Sequence, residues 1–215
     1  MRQERETSDS THFGAWDQNL FTEWHSRHGG RGVLIYWHIE RKSMVIHSQL
    51  LSCTASEVAA MIQGAIHHGT EMDVKANYVD THGQSVVGFG LTRLLGFDLL
   101  PRIKRINHIR LYPPTRGEEF PNLAPAMAGR SIDWELIAAQ YDDVIKYATS
   151  IKSNAASTAA ILRRFHRTNV MHPTYQAMQE IGRAQRTILT CRYLRLADLE
   201  RPLAAAGGAG PLGYT

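Results

Sequence analysis

The chain has 215 residues, of which 43% are hydrophobic and 20% charged, and its formal net charge at neutral pH is +4. This composition excludes collagen-like, coiled-coil and wholly disordered proteins, because no repeat or compositional bias runs through it. The mildly basic balance permits a polyanionic partner. Two cysteines are too few for a disulfide framework. No apolar run reaches the roughly 18–20 residues that span a bilayer, and the polar amino terminus does not resemble a signal peptide. We therefore expect a soluble, intracellular protein that does not act at a membrane.

The first predicted elements are a β-hairpin and a helix. Two apolar runs, Val33 to Ile39 and Ser43 to Leu51, flank a short polar connector and predict antiparallel strands. Thr54 and Glu57 have the spacing of a helix capping box, and Gly69 follows the end of the apolar stripe. The sequence therefore predicts a hairpin followed directly by an amphipathic helix.

Strand and helix signals continue to alternate after this helix. Lys75 to Asp80 has the character of a short strand, and a helix is predicted from about Ser85 to Leu95, ended by Gly96. A further strand, Phe97 to Leu100, closes at Pro101. The order hairpin, helix, strand, helix, strand predicts an α/β fold whose mixed sheet contains crossover helices.

The second half of the chain, after Pro113, changes to a helical pattern. Ser131 is the predicted N-cap of one long helix, a second helix covers about 156–168, and Pro173 begins a third. The stripe of the first is Trp134, Ile137, Ala138, Tyr141, Ile145, Ala148 and Ile151, and that of the last is Ala177, Ile181, Ala184, Ile188 and Cys191. We expect a helical region packed beside the sheet.

Asp80 is the sharpest candidate functional residue in the sequence. It lies at the carboxyl end of a predicted central strand, which is where α/β folds place ligands. The structural alternative is an aspartate that caps the turn after the strand. Asp9 is a second candidate, although on its own Ser8-Asp9-Ser10 is typical of a solvated loop. If the fold brings the two carboxylates together, they supply the oxygen ligands that Mg²⁺ prefers.

Basic residues are concentrated in two segments. Residues 93–116 carry six lysines and arginines against one acidic residue, and residues 146–195 carry nine against one. Such segments suit the phosphate backbone of a nucleic acid, and a solvated helical face is the equally weighted alternative. The candidate DNA-binding residues are Arg102, Lys104, Arg105, Arg110, Lys152, Arg163 and Arg164.

An ordered series of motifs then runs along the chain. It includes SDSTHFGAW, GGRGVLIYWHIERKS, NYVDTHGQS, LLGFDLLPRIKRI, RLY, WELIAAQYDDVIKYATSIKS and QEIGRAQRTIL. Together these motifs closely resemble the catalytic region of the replicative transposases of class II bacterial transposons, the Tn-three family. The resemblance covers about residues 7–200.

The resemblance implies a DDE transposase with an RNase H-like core. Asp9 matches the first catalytic aspartate of the family and Asp80 the second. The implied function is DNA transposition by two-metal phosphoryl transfer, in which the enzyme cuts transposon ends and joins the 3′ ends to target DNA. The implied cofactor is Mg²⁺, with Mn²⁺ as a substitute. The implied partner is double-stranded DNA, namely terminal inverted repeats and target, in the bacterial cytoplasm at the nucleoid, and the parent protein is expected to dimerise.

The chain departs from the family pattern at the third catalytic acid. The family glutamate lies beyond the QEIGRAQRTIL segment, where this sequence reads LERPLAAAGGAGPLGYT. We assign no catalytic role to Glu180, and Glu200 is a remote candidate. We therefore expect a truncated fragment with two of three acids, inactive by itself. The expected organisation is an RNase H-like core over 1–112, a helical insertion region over 113–200 and a disordered tail over 201–215.

Two main functional hypotheses follow from these observations, and a third, a free-standing RNase H-like nuclease, is weaker because such enzymes need more than two carboxylates close together. In the first, the chain is a DDE transposase domain. In the second, it is a catalytically inactive remnant that acts at most as a DNA-binding module. Both depend on one geometric expectation, that the side chains of Asp9 and Asp80 lie side by side on neighbouring strands.

Overall fold

A computed structural model describes residues 4–16, 18–20, 22–25, 29–40, 44–80, 84–165 and 167–195 of the chain. Its strands are β1 (Glu4–Gly14), β2 (Glu23–His25), β3 (Gly30–Glu40), β4 (Val45–Ser52), β5 (Val74–Val79) and β6 (Asp98–Pro101). Its α-helices are α1 (Glu57–His67), α2 (Val86–Leu95), α3 (Trp134–Ala139), α4 (Tyr141–Lys152), α5 (Thr158–Arg164) and α6 (Pro173–Arg195). Within these ranges no helix is long and apolar enough to cross a membrane.

The six strands form one mixed sheet in the order β2-β3-β1-β5-β6, and β4 also pairs with β3. β1 lies between β3, to which it is antiparallel, and β5, to which it is parallel. β6 continues the parallel part of the sheet beside β5. The prediction of an α/β fold with a mixed sheet and a helical carboxyl-terminal region is confirmed.

The predicted hairpin is present as β3 and β4, which pair from Val33 opposite Ser52 to Ile39 opposite Val45. The predicted helix is present as α1, but its capping box is wrong. The N-cap is Ser56, whose side chain accepts from the Ala59 amide at 3.3 Å, while the Thr54 hydroxyl donates to Glu23 instead. The Thr54 hydroxyl is thus engaged with a residue of β2, a contact that the local sequence does not indicate.

The next two elements follow the prediction closely. Ser85 caps α2 by accepting from the Gly88 amide, and Gly96 ends the helix in the left-handed conformation with φ of 97°. β5 ends at Val79, so Asp80 is the first residue beyond it. Pro101 is the last residue of β6 rather than the residue after it, and it is tolerated because β6 lies at the edge of the sheet.

The long helix predicted from Ser131 is two helices. Asp133, not Ser131, is the N-cap of α3. The helix is interrupted at Gln140, and α4 begins at the next residue. The Gln140 backbone leaves helical geometry (φ −109°, ψ 10°), and its side chain accepts from Thr174 of α6 at 2.9 Å. A tertiary contact therefore divides an apolar stripe that is continuous in sequence.

The last two predicted helices are both present. The predicted 156–168 segment forms α5 followed by a short 3₁₀ turn, Arg167–Asn169, and α6 begins at Pro173 as expected. The predicted apolar face of α6 is wrong beyond its first half. Ile188 and Cys191 are exposed, whereas Leu189 is buried.

Two glycines set the distance between α2 and α6. A Cβ at Gly90 of α2 would lie 2.6 Å from the Met178 carbonyl oxygen, and one at Gly182 of α6 would overlap the Val86 carbonyl oxygen. The two backbones therefore touch directly. Residues from the sheet and from α4, α5 and α6 belong to one continuous hydrophobic core. The domain division at 112/113 stays a prediction, and the tail 201–215 lies outside the described residues.

We predict that Gly182→Ala lowers the free energy of unfolding by about 1–3 kcal/mol, because the added methyl forces α2 and α6 apart. Chemical denaturation measures this change. Gly129→Ala is the matched control, since a Cβ at Gly129 meets nothing within 4 Å, and we expect it to stay within about 0.5 kcal/mol of the parent. Equal stability of the two variants would contradict the close α2–α6 packing.

Candidate active site

Asp9 and Asp80 each come immediately after a residue that pairs with its counterpart on the neighbouring strand. In the parallel pair of β1 and β5, Ser8 lies opposite Val79, and each aspartate is the next residue along its strand. Because successive side chains along a strand alternate between the two faces of the sheet, the two aspartates fall on the same face. The topology therefore places both carboxylates at one edge, where β5 ends.

One cavity at this edge is lined by both aspartates. Ser8, Tyr36, Glu57 and Val79 also line it. Val58 and Met61 of α1 complete the lining, so the cavity is built from β1, β3, the end of β5 and the first two turns of α1. Asp9 is exposed, and Asp80 and Glu57 are partly buried. Residues 81–83, which follow Asp80, lie outside the described residues.

A buried polar network is formed by residues that precede the aspartates along β1 and β5, together with two residues of β3. Asn77 of β5 donates to Glu6 Oε1 at 2.7 Å and accepts from Ser8 Oγ at 2.9 Å, so its amide joins two residues of β1. His38 Nδ1 lies 3.3 Å from Glu6 Oε1, and Ser8 Oγ lies 3.1 Å from the Tyr36 hydroxyl. All five side chains are buried. These contacts fix β1 against β3 and β5 just below the site.

The Tyr36 hydroxyl is affected by the negative charge of the site. Burial raises the pKa of Tyr36, and the hydrogen bond with Ser8 acts in the opposite direction. The charges of Glu57, Asp9 and Asp80 raise the pKa further. Tyr36 therefore stays protonated and neutral in a cavity that three carboxylates also line.

Part of the first basic segment lies at the same edge of the sheet. The Arg102 amide donates to the Val79 carbonyl oxygen at 2.9 Å, which places Arg102 beside the residue that precedes Asp80. The side chains of Arg102, Lys104 and Arg105 are exposed. Arg110 is also exposed and donates to the Pro125 carbonyl oxygen at 2.8 Å. Three of the seven predicted DNA-binding residues thus follow the strand next to Asp80.

The second basic segment lies elsewhere. His67, at the end of α1, contacts the Ile151 carbonyl oxygen at 3.2 Å, and Lys152 is the next residue. Glu57 and His67 are at opposite ends of an eleven-residue helix, about 15 Å apart. Lys152 is therefore separated from the cavity by the length of α1. Arg163 and Arg164 are exposed at the end of α5, which packs against α1.

Glu180 is held in a separate cluster on α6. Its carboxylate pairs with Arg130 at 2.6 Å and with Arg183, and it accepts from the Asp133 amide. Burial acts to raise the pKa of Glu180, but these donors outweigh burial and the pKa is lowered. Glu180 thus joins α6 to the start of α3. Glu200 lies outside the described residues.

Among the residues that the structure describes, no group of three or more His, Cys, Asp or Glu side chains has the arrangement of a metal site. Asp9 and Asp80 are accordingly two candidate ligands without a directly coordinating third. Their carboxylate oxygens are the donors that Mg²⁺ takes in ones or twos, with water completing its shell. The donor set therefore fits a magnesium ion.

The family model described as the Tn3 transposase DDE domain matches residues 2–207. The chain belongs to this family. The Tn-three resemblance seen in the sequence motifs is thereby confirmed.

Curated relatives agree with this Tn3 assignment. The chain is 27% identical over 174 residues to the transposase for transposon Tn1546 of Enterococcus faecium, covering 81% of this chain and 18% of the relative. It is 26% identical to the transposase for transposon Tn2501 of Escherichia coli, covering 94% and 21%. It is 31% identical to the transposase for insertion sequence element IS1071 in transposon Tn5271 of Comamonas testosteroni, covering 74% and 16%. The chain spans about a fifth of the length of these relatives.

Sequence reasoning missed Glu57 as a residue of the cavity. It entered the prediction only as the acid of a capping box, because its helical position is evident and its proximity to Asp9 is not. The available signal was that α1 follows the hairpin directly, so its first turn has to lie near the strand ends. That signal indicates an edge of the sheet but not a particular side chain.

We predict that Asn77→Leu lowers the free energy of unfolding by about 3–5 kcal/mol, because it leaves the buried Glu6 carboxylate without its shortest hydrogen bond. Lys75→Leu introduces the same side chain at a partly exposed position of the same strand and serves as control. We expect that control to change stability by less than about 1 kcal/mol. The comparison is made by urea denaturation, and similar losses in both variants would show that the network contributes little.

Proposed function

We propose that this chain carries the catalytic core of a DDE transposase, in which Asp9 and Asp80 hold Mg²⁺ against the phosphate backbone of DNA. The observation that carries the proposal is that both aspartates line one cavity at the carboxyl end of β5. Membership of the Tn3 DDE family supports the same roles for these two positions.

The chemistry of the cavity supports a metal-assisted phosphoryl transfer. A bound divalent ion would supply Lewis-acid activation of an attacking oxygen and stabilisation of a leaving oxygen. Asp9 and Asp80 provide the anionic ligands for it. Tyr36 and Val79 line the same cavity without adding charge.

Duplex DNA is the partner that the basic residues favour. Arg102, Lys104 and Arg105 would contact backbone phosphates beside the aspartates, since they follow β6 at the same edge. We assign Arg110 to the same group as Arg102, Lys104 and Arg105. A more distant part of the duplex would be contacted by Lys152, Arg163 and Arg164. Backbone contacts of this kind hold the duplex in place without reading its sequence.

For the protein of which this region forms part, we propose DNA transposition in a bacterial cell. The reaction would be cleavage at terminal inverted repeats and joining of the 3′ ends to target DNA. Mn²⁺ would replace Mg²⁺, since it accepts the same oxygen ligands. A dimeric transposase in the nucleoid-associated cytoplasm is the corresponding assembly.

A second candidate function is a catalytically inactive transposase domain that acts at most as a DNA-binding module. The observation in its favour is that the described residues provide no group of three acidic or metal-binding side chains. Two carboxylates can hold a cation, but the family chemistry uses a third acid. The two candidates therefore differ in DNA cleavage and agree in DNA binding.

We predict that Asp80→Asn and Asp9→Asn each weaken Mn²⁺ binding at least about a hundredfold, because each removes an anionic ligand. Isothermal titration calorimetry of the full chain measures the affinity. Asp73→Asn is the control, since Asp73 is a largely exposed aspartate just before β5. Wild-type affinity in either site variant would remove that residue from the metal site.

We predict that the 215-residue chain binds duplex DNA in a salt-sensitive manner, and binding without cleavage of a transposon-end duplex in Mn²⁺ would favour the second candidate. Substituting Arg102, Lys104 and Arg105 by Ala should reduce the slope of log affinity against log salt by about 2–3, since each phosphate contact contributes about 0.9. Lys146→Ala, a remote exposed lysine paired with Asp143, is the control. Cleavage that is lost in Asp80→Asn would instead establish an active nuclease site, and an unchanged slope would place the DNA elsewhere.

A further inference from the structure

Glu57 occupies a position that the two aspartates do not explain. It is the first residue of α1, and Ser56 before it caps the helix. Its side chain lines the same cavity as Asp9 and Asp80. A carboxylate at the first turn of a helix is stabilised by the partial positive charge of the helix amino terminus. The helix thus holds a third anionic group at the edge where β5 ends.

Ser10 connects Glu57 to Asp9. Its hydroxyl donates to Glu57 Oε2 at 3.2 Å, and its backbone amide donates to Asp9 Oδ1 at 2.8 Å. One residue therefore holds both carboxylates through two different groups. Because Ser10 is part of the β1–β3 ladder, opposite Tyr36, its amide is fixed in place by the sheet.

Glu57 is not positioned as a direct third ligand, since the described residues contain no metal-binding group of three. Its influence has to pass through charge, water and Ser10. Burial is the main cause of the raised pKa of Tyr36, and the charges of Glu57, Asp9 and Asp80 act in the same direction. Three carboxylates around one cavity repel one another, and a divalent cation relieves that repulsion.

We infer that Glu57 is a positioning residue of the metal site, which orients Asp9 through Ser10 and increases cation affinity by its charge. The inference rests on the proposed function, because it needs Asp9 and Asp80 as the direct ligands. Residues that orient metal ligands without touching the metal commonly contribute about 10- to 100-fold in affinity.

We predict that Glu57→Gln weakens Mn²⁺ binding about tenfold, because the amide keeps the size of the side chain and removes its charge. Ser10→Ala retains the charge but loses the hydroxyl contact, so we expect a smaller loss of about threefold. Glu71→Gln removes the same charge from an exposed loop residue after α1 and is the matched control. Calorimetric titration with Mn²⁺ gives the affinities, and denaturation in EDTA gives the stability without cation.

Affinity in Glu57→Gln within twofold of Glu71→Gln would overturn the inference. Should Glu57→Gln unfold, Glu57→Asp and Ser10→Ala decide the question, since a shortened or uncoupled carboxylate has to weaken binding at unchanged stability. The two proposals fail in different ways. Full Mn²⁺ affinity in Asp80→Asn and Asp9→Asn refutes the metal site itself. Loss of binding in those variants with normal binding in Glu57→Gln refutes only the role of Glu57.

Discussion

The hydrogen bonds of Asn77 to Glu6 and Ser8 are the interaction on which the site depends. A central strand of a mixed sheet is normally apolar on its buried faces, yet β1 buries a glutamate and a serine. Asn77 supplies a donor to the first and an acceptor to the second, so only one register of β1 against β5 satisfies both. A shift by one residue would leave these groups unpaired in the core, at a cost of several kcal/mol. The same register makes Asp9 and Asp80 neighbours.

The other side of this network explains one feature of α1. His38 lies on β3 beside Glu6, and Gly64 of α1 packs so closely that a Cβ there would overlap the His38 ring. The helix therefore approaches the polar core of the sheet without a side chain at the contact. Its first residue, Glu57, is carried to the cavity by that approach. Sheet and helix together thus bring three carboxylates to one edge. Along the chain, Glu57 is 48 residues from Asp9 and 23 residues from Asp80.

Local signals in the sequence predicted the elements whose ends are marked by short-range chemistry. Ser85 and Gly96 bound α2 as expected, because an N-cap and a left-handed glycine act within a few residues. β1 carried no such signal, since its buried groups are polar and find partners 32 and 71 residues away. The interruption of the helix at Gln140 and the exposure of Ile188 were not predicted for the same reason, because each depends on how α6 packs in the tertiary structure. Of the site, Asp80 was predicted from its position at the end of a strand and Asp9 gained its role from the family motifs, whereas Glu57 required coordinates.

The bond from the Arg102 amide to the Val79 carbonyl oxygen has a mechanical consequence. It ties the segment that follows β6 to the last residue of β5, one position before Asp80. Gln84 adds a second attachment by donating to the Arg102 carbonyl oxygen at 2.7 Å. The backbone of Arg102 is therefore held against the end of β5, so the exposed side chains of Arg102, Lys104 and Arg105 extend from a fixed point beside Asp80.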